Sequence, residues 1–333
     1  VKILFTHIEE EWQKKFFEEK LPNHELTFLE GPLTVDNVMD HRDTQVLSVF
    51  VGSPIDTPII NSLADLSLIA TRSTGFDHID LSKASQKKIT VCNVPFYGEN
   101  TVAEHAFTLM LSLSRMIPES LDRTEDGSFD YHGLRGWDVK GKTIGIVGGG
   151  HIGMHMARMA RGFHMNVIVF DINRDEKMAA ELGFTYVDLD EMYAKADVIS
   201  LHVPLNDHTK HMLNKDAFAK MKDGVVIINT ARGGLIDTDS LIVALRSGKV
   251  SQAGLDVLEG EEDLIDEVEL TMNNLKKDEV LTLLQNHQLM EMPHVIITPH
   301  NAFNSIEAVQ RILQTTVDNI EAFEKNVPIN VVS

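Results

Sequence analysis

The chain has 333 residues, of which 43% are hydrophobic and 24% charged, proportions of a folded chain of about two domains rather than of a disordered, collagenous or coiled-coil one. Fifty Asp and Glu against 30 Lys and Arg give a net charge of −20, a field that repels phosphate backbones and anionic lipid, so neither nucleic acid nor membrane is an expected partner. The single cysteine, Cys92, can form neither an internal disulfide nor a cysteine metal cluster. No metal site is expected, no apolar run reaches the ~18 residues of a membrane span, and a cytoplasmic setting is expected.

Short β-branched runs alternate with amphipathic stretches from end to end. In the first hundred residues strands are expected at 2–6, 26–29, 46–51, 67–71 and 90–94, with helices between them, for example at 9–20 and 56–64. Strands separated by helices imply right-handed crossovers and a parallel sheet. Residues 101–116 pattern as an amphipathic helix that Pro118 is expected to end. Residues 119–142 then read as a long polar surface segment. Its interspersed Phe129, Tyr131, Leu134 and Trp137 point to packing against something, such as a second subunit.

A second alternating unit follows, with strands expected at 143–147, 166–170, 198–202, 225–229, 253–257 and 295–298. Helices are expected at 152–163, 174–182, 215–221 and 237–247, and a last long one at 305–325. Residues 259–278 are the most acidic stretch, helical in pattern after Leu264, and read as a solvated helix face.

The sharpest local signal is Gly148-Gly149-Gly150-His151-Ile152-Gly153, placed after one strand and opening a helix. In a G-x-G-x-x-G reading Gly148 allows the tight turn, Gly150 lets backbone approach a pyrophosphate, and Gly153 lets helix and strand pack closely. The helix N-terminus offers N–H groups and partial positive charge to the diphosphate. His151, a variable position of the motif, reads as a contact near that diphosphate. Asp171 ends the next strand, 18 residues after Gly153. A carboxylate there accepts from ribose hydroxyls and repels a 2′-phosphate, favouring NAD over NADP, although Arg174 is close enough in sequence to compete with that preference.

Three further strand ends carry chemistry. The strand at 225–229 runs into Thr230-Ala231-Arg232, the strand at 253–257 into Leu258-Glu259-Gly260-Glu261, and the strand at 295–298 into Pro299-His300. A guanidinium anchors a carboxylate and polarises a carbonyl, an imidazolium supplies a proton near neutral pH, and a carboxylate beside it favours its charged form. These are the requirements for hydride transfer to a 2-keto acid, and α/β sheets place ligands at such strand ends. Glu259, Glu261 and Glu262 are all near enough to serve.

The stretches Asn229-Thr-Ala-Arg-Gly-Gly-Leu-Ile-Asp237, Gly254-Leu-Asp-Val257 and Thr298-Pro-His-Asn-Ala-Phe303 resemble the D-isomer-specific 2-hydroxyacid dehydrogenases. Arg72-Ser-Thr-Gly-Phe-Asp-His-Ile-Asp80 with Val94-Pro-Phe-Tyr-Gly-Glu-Asn-Thr-Val-Ala-Glu-His105 resembles the D-lactate dehydrogenase branch of that family. The resemblance implies an α/β fold of two flavodoxin/Rossmann-like domains with parallel sheets, an NAD-binding domain (101–299) being inserted into a discontinuous catalytic domain (1–100 and 300–333). It implies Arg232, Glu261 and His300 as catalytic residues. Ser73, Thr74, Gly75, Phe76 and Tyr97 are implied to bind substrate. Cofactor contacts are implied at Ile152, Val203, Pro204, Thr209, Thr230, Ala231, Arg232 and Asp256, with Asp256 at the carboxamide side of the nicotinamide, while His202 reads as structural. The implied partners are a small 2-keto or 2-hydroxy acid and a second copy of the chain, meeting through 101–142. The reaction expected is reversible pyruvate reduction with NADH. Glyoxylate, hydroxypyruvate or longer-chain 2-keto acids are the alternatives within the enzyme class, and an NADH-sensing corepressor-like protein is the alternative outside it.

Overall fold

The computed structural model describes residues 1–8, 10–51, 53–261 and 277–333, the side chains of 277–279 excepted. Among them two all-parallel sheets form, in two compact units: Val1–Gly98 with Asn304–Ser333, and Glu99–Phe303. The second unit is thus inserted into the chain of the first.

The first unit's strands are β1 (Lys2–Phe5), β2 (Glu25–Phe28), β3 (Val46–Val49), β4 (Leu68–Thr71) and β5 (Thr90–Cys92), in the order β2-β1-β3-β4-β5. The central strands β3 and β4 are buried at every position, as a parallel sheet covered on both faces requires. One face packs Ile59 and Ile60 from helix Thr57–Ser62 and Leu63 just after it. The other packs Phe17 and, from helix Ile306–Glu324, Leu313, Val317 and Ile320. Val91 exchanges backbone hydrogen bonds with Val332 and Ser333, so the last residues cover the edge of β5.

The second unit's strands are β6 (Thr143–Val147), β7 (Asn166–Phe170), β8 (Thr185–Tyr186), β9 (Val198–Leu201), β10 (Val225–Asn229), β11 (Val250–Leu255) and β12 (Val295–Ile297). They lie in the order β12-β11-β10-β9-β6-β7-β8. The direction of winding reverses between β6 and β9, which opens a crevice at their carboxyl ends. In the first unit the same reversal falls between β1 and β3.

Pro118 does not simply end a helix. Helix Glu99–Ser114 gives way to a second helix, Ile117–Glu125, with Pro118 in its first turn. There its missing N–H costs nothing and its fixed φ helps. Met116, at φ +51, makes the joint. Short helices at Leu81–Gln86 and Leu189–Lys195 and the two-residue β8 are additions to the sequence reading. Of the helical pattern expected after Leu264, residues up to 276 lie outside the described residues, and a helix runs over Lys277–Met290.

Candidate active site

The glycine turn sits at the crevice of the second unit. Gly148 is at φ +103, and a Cβ there would lie 2.5 Å from the His202 carbonyl oxygen at the end of β9. A Cβ at Gly153 would lie 2.0 Å from the Gly148 carbonyl oxygen, so helix and turn touch through hydrogen alone. Gly150 has open space around its Cβ direction, and it begins helix His151–Gly162 with no side chain capping the helix. The turn is therefore crowded on its protein side and open where an anion would meet the helix N-terminus. Asp171, at the tip of β7, accepts from the backbone N–H of Gly149 at 2.6 Å and of Asn173 at 2.7 Å. Arg174 is paired with Asp188 at 2.8 Å and lies over the Tyr186 ring, so a carboxylate dominates where a ribose would bind. These residues fit a dinucleotide without a 2′-phosphate.

At the end of β9, the half-buried His202 ring meets the Ser200 hydroxyl at 2.8 Å, and desolvation pushes its pKa down to about 4. It is a neutral histidine satisfied within its own strand end. Val203 and Pro204 continue from it, and Thr209 folds the loop back by donating to the Pro204 carbonyl at 2.6 Å. At the end of β10, Thr230 is buried with a hydroxyl that has no partner among the described residues. A buried polar atom left open at a strand end is a place for a ligand.

Arg232 is set by Asn229, which is fully buried; its amide donates to the Arg232 carbonyl at 2.9 Å and accepts from Ala231 N–H at 3.1 Å. The next residue explains how two strand ends converge. A Cβ at Gly233 would lie 2.0 Å from the carbonyl carbon of Leu258 and 2.3 Å from Glu259 N. The arginine loop thus rests directly on the peptide that begins the glutamate turn.

From that turn Glu261 reaches His300: Oε1 lies 2.5 Å from Nδ1, and Oε2 accepts from Leu258 N–H at 3.0 Å. Glu259 goes elsewhere, to His211 Nε2 at 2.6 Å and the Thr238 hydroxyl at 3.0 Å. Glu262 lies outside the described residues. His300 is left-handed, at φ +50, a conformation that costs a non-glycine residue energy and must be held by its surroundings.

Asp256 holds it. This carboxylate is 1% exposed; it accepts from Asn301 N–H at 3.1 Å, Ala302 N–H at 2.9 Å and the Thr298 hydroxyl at 2.5 Å. Its own carbonyl accepts from His300 N–H at 2.9 Å. His105, from helix Glu99–Ser114, approaches Thr298 Oγ1 at 3.0 Å and Asp256 Oδ1 at 3.4 Å. His105, His211, Asn229 and Gly233 are the functional neighbours that sequence reasoning did not single out. His105, His211 and Gly233 act through contacts with residues far along the chain, Thr298, Glu259 and Leu258, for which spacing gives no signal, whereas Asn229 acts locally, through Ala231 and Arg232. His151 lies 3.4 Å from Glu99 at the mouth of the glycine turn.

In the first unit, β4 runs into the 73–76 loop. Ser73 donates to the Gly75 carbonyl at 2.6 Å, and Thr74 donates to the Val94 carbonyl at 2.9 Å. Among the described residues the backbone N–H groups of Thr74, Gly75 and Phe76 donate to no protein acceptor, which leaves them available to an anion. Tyr97 is half-buried, its carbonyl accepting from Arg311 Nε at 2.5 Å.

Residues 107–302 match the family "D-isomer specific 2-hydroxyacid dehydrogenase, NAD binding domain". The chain is 38% identical over 303 residues to the D-lactate dehydrogenase of Escherichia coli, covering 90% of each. It is 41% identical over 260 residues to an aromatic 2-oxoacid reductase of Clostridium sporogenes, covering 78% of this chain and 76% of that one. The structure of D-lactate dehydrogenase from Aquifex aeolicus complexed with NAD and lactic acid superposes with a TM-score of 0.86 at 35% identity, covering 98% of this chain and 96% of that one. The crowded glycine turn, the carboxylate at the tip of β7 and this kinship agree: the chain belongs to the D-isomer-specific 2-hydroxyacid dehydrogenases and is an NAD-dependent enzyme of that family.

Proposed function

We propose that the protein is a D-lactate dehydrogenase that reduces pyruvate with NADH and, in reverse, oxidises D-lactate. The observation that carries the reading is the 2.5 Å contact of Glu261 with His300 on a turn that abuts the Arg232 loop. NAD, when bound, supplies or takes up the hydride at C2 of the acid. The residues to hold it are Gly148, Gly150, His151, Ile152 and Gly153 at the diphosphate, Asp171 at the ribose, and Val203, Pro204, Thr209, Thr230 and Ala231 along the strand ends. Asp256 contributes by clamping the loop that carries His300.

Arg232 grips the carboxylate and polarises the carbonyl with its forked donors. Glu261 takes His300 Nδ1 and stabilises the imidazolium, which leaves Nε2 to hold the proton that moves to or from the substrate oxygen. In the first unit the open N–H groups at 74–76 suit the acid's carboxylate, and Tyr97 orients the keto acid. Phe129 and Tyr131 are 93% and 76% exposed, whereas Trp137 of the same arm donates to Gln252 at 2.8 Å. We assign the two exposed rings to a homodimer contact. The protein is assigned to the cytoplasm, with no helix among the described residues long and apolar enough to cross a membrane.

Steady-state rates with NADH against pyruvate, glyoxylate, hydroxypyruvate, phenylpyruvate and 2-ketoisocaproate test the substrate. Pyruvate is expected to give the highest kcat/KM. A clear preference for phenylpyruvate transfers the assignment to a longer-chain reductase, a reading that the kinship to the Clostridium sporogenes enzyme favours. Tight NADH binding with no turnover would make the protein a sensor. Arg232→Ala should lower kcat/KM by about a thousand-fold while NADH binding, read by fluorescence, survives. An unchanged rate removes Arg232 from the mechanism.

A further inference from the structure

Two glutamates leave the 258–261 turn in different directions, and only one meets the acid–base histidine. Both carboxylate oxygens of Glu259 are taken: Oε1 by His211 Nε2 at 2.6 Å and Oε2 by the Thr238 hydroxyl at 3.0 Å. Its carbonyl accepts from the amide of Asn286, a fully buried residue, at 2.8 Å. His211 is itself anchored, its N–H donating to the Gly234 carbonyl at 2.8 Å. Among the described residues the charged groups within ion-pair distance of His211 are Glu259 and, at 3.7 Å, Asp237. The pair therefore ties together the 203–212 segment, the start of helix Thr238–Ser247 and the glutamate turn.

The turn needs such a tie. Gly260, at φ +65, separates the two glutamates, and glycine leaves a chain free to swivel unless its neighbours are fixed. Side-chain exposures of 33% for His211 and 27% for Glu259 mean that the ion pair adds little stability of its own. What it fixes is direction. We infer that His211 and Glu259 are positioning residues for the acid–base couple: they hold the turn from which Glu261 reaches His300 and lock it to the segment that carries Val203, Pro204 and Thr209. This rests on the assignment of Glu261 and His300 proposed above.

Histidine ring 15N spectra of the cofactor-free protein test it, with His300 assigned by the signals lost in His300→Asn. In the wild type at a pH where the ring is neutral, the proton is expected on Nδ1, toward Glu261, against the Nε2–H preference of free imidazole. Glu259→Gln, which is isosteric, should move His300 toward the Nε2–H form. It should also lower kcat about five- to ten-fold and shift the alkaline limb of the pH–rate profile to lower pH, while KM for NADH holds within about two-fold. His211→Ala should do the same. His211→Gln, which keeps an amide donor for Glu259, should recover most of the loss. Glu261→Gln should have a larger effect, and adding Glu259→Gln to it should change little further. A Glu259→Gln protein with the wild-type His300 spectrum and pH limb overturns the inference. If Glu261→Gln itself leaves the His300 spectrum and the rate unmoved, the underlying acid–base assignment fails and takes the inference with it.

Discussion

Both units wind a parallel sheet outward from a point of reversal, yet they treat that point in opposite ways. In the second unit it is kept clear: Gly148 lets the β9 end approach, Gly150 faces open space, and no side chain caps the helix beyond. In the first unit it is filled by Arg72, 3% exposed, from the end of β4. Its guanidinium donates to the Ser48 carbonyl at 3.1 Å, to the Ser48 hydroxyl at 2.9 Å, and to the carbonyls of Thr6 and His7. Among the described residues it has no carboxylate within ion-pair distance, and burial lowers its pKa to about 9. Main-chain carbonyls at the ends of β1 and β3 solvate the cation in place of a counter-ion. The same topology gives a ligand crevice where glycines empty it and a braced joint where an arginine plugs it. Winding supplies the location, and side chains decide its use.

The contrast can be broken from either side. The largest effect is expected at Gly153→Ala, whose methyl would overlap the Gly148 carbonyl. NADH affinity should fall at least about a hundred-fold with a clear loss of Tm, whereas Gly150→Ala should weaken NADH binding at little cost in Tm. Equal Tm losses in both would mean that the crevice is not built as described.

Next comes Arg72→Met, which removes the guanidinium donors of the Thr6 and His7 carbonyls and of the buried Ser48 hydroxyl and should cost about 3 kcal/mol in urea unfolding, with NADH affinity unchanged. A neutral result would show that the arginine is no brace.

The smallest effect concerns His7, which contacts the Ser53 hydroxyl at 3.2 Å and is pushed down from 6.5 to about 4 by burial first and the Arg72 charge second. A folded-state value below the unfolded one means that the stability His7 contributes is present above pH 6.5 and lost as pH falls toward 4. His202, lowered to about 4 by burial, acts in the same window. His7→Asn, which tolerates the φ of +51 at this position, should flatten the acid loss of Tm between pH 6.5 and 4.5 without abolishing it. An unaltered acid slope would take His7 out of the account.

Much of the site was legible because it is local. The glycine turn, Asp171, and the placing of Arg232 and His300 at strand ends follow from periodicity and spacing of a few residues. The choice among Glu259, Glu261 and Glu262 was not legible, since three carboxylates within four positions differ only in where a turn aims them. His211 and His105 escaped notice because their partners lie 48 and 151 or more positions away. Pro118 misled for a physical reason: the residue that stops one helix is also a good first-turn residue for the next. The helices at Leu81–Gln86 and Leu189–Lys195 are too short for periodicity to resolve.

The contact of Gly233 with the Leu258–Glu259 peptide also bears on protein engineering. Two segments that meet without a side chain between them cannot be exchanged independently. Chimeras assembled from relatives should keep 229–261 as one block, because a crossover inside it would set one parent's arginine loop on another parent's glutamate turn with no atoms available to absorb the mismatch.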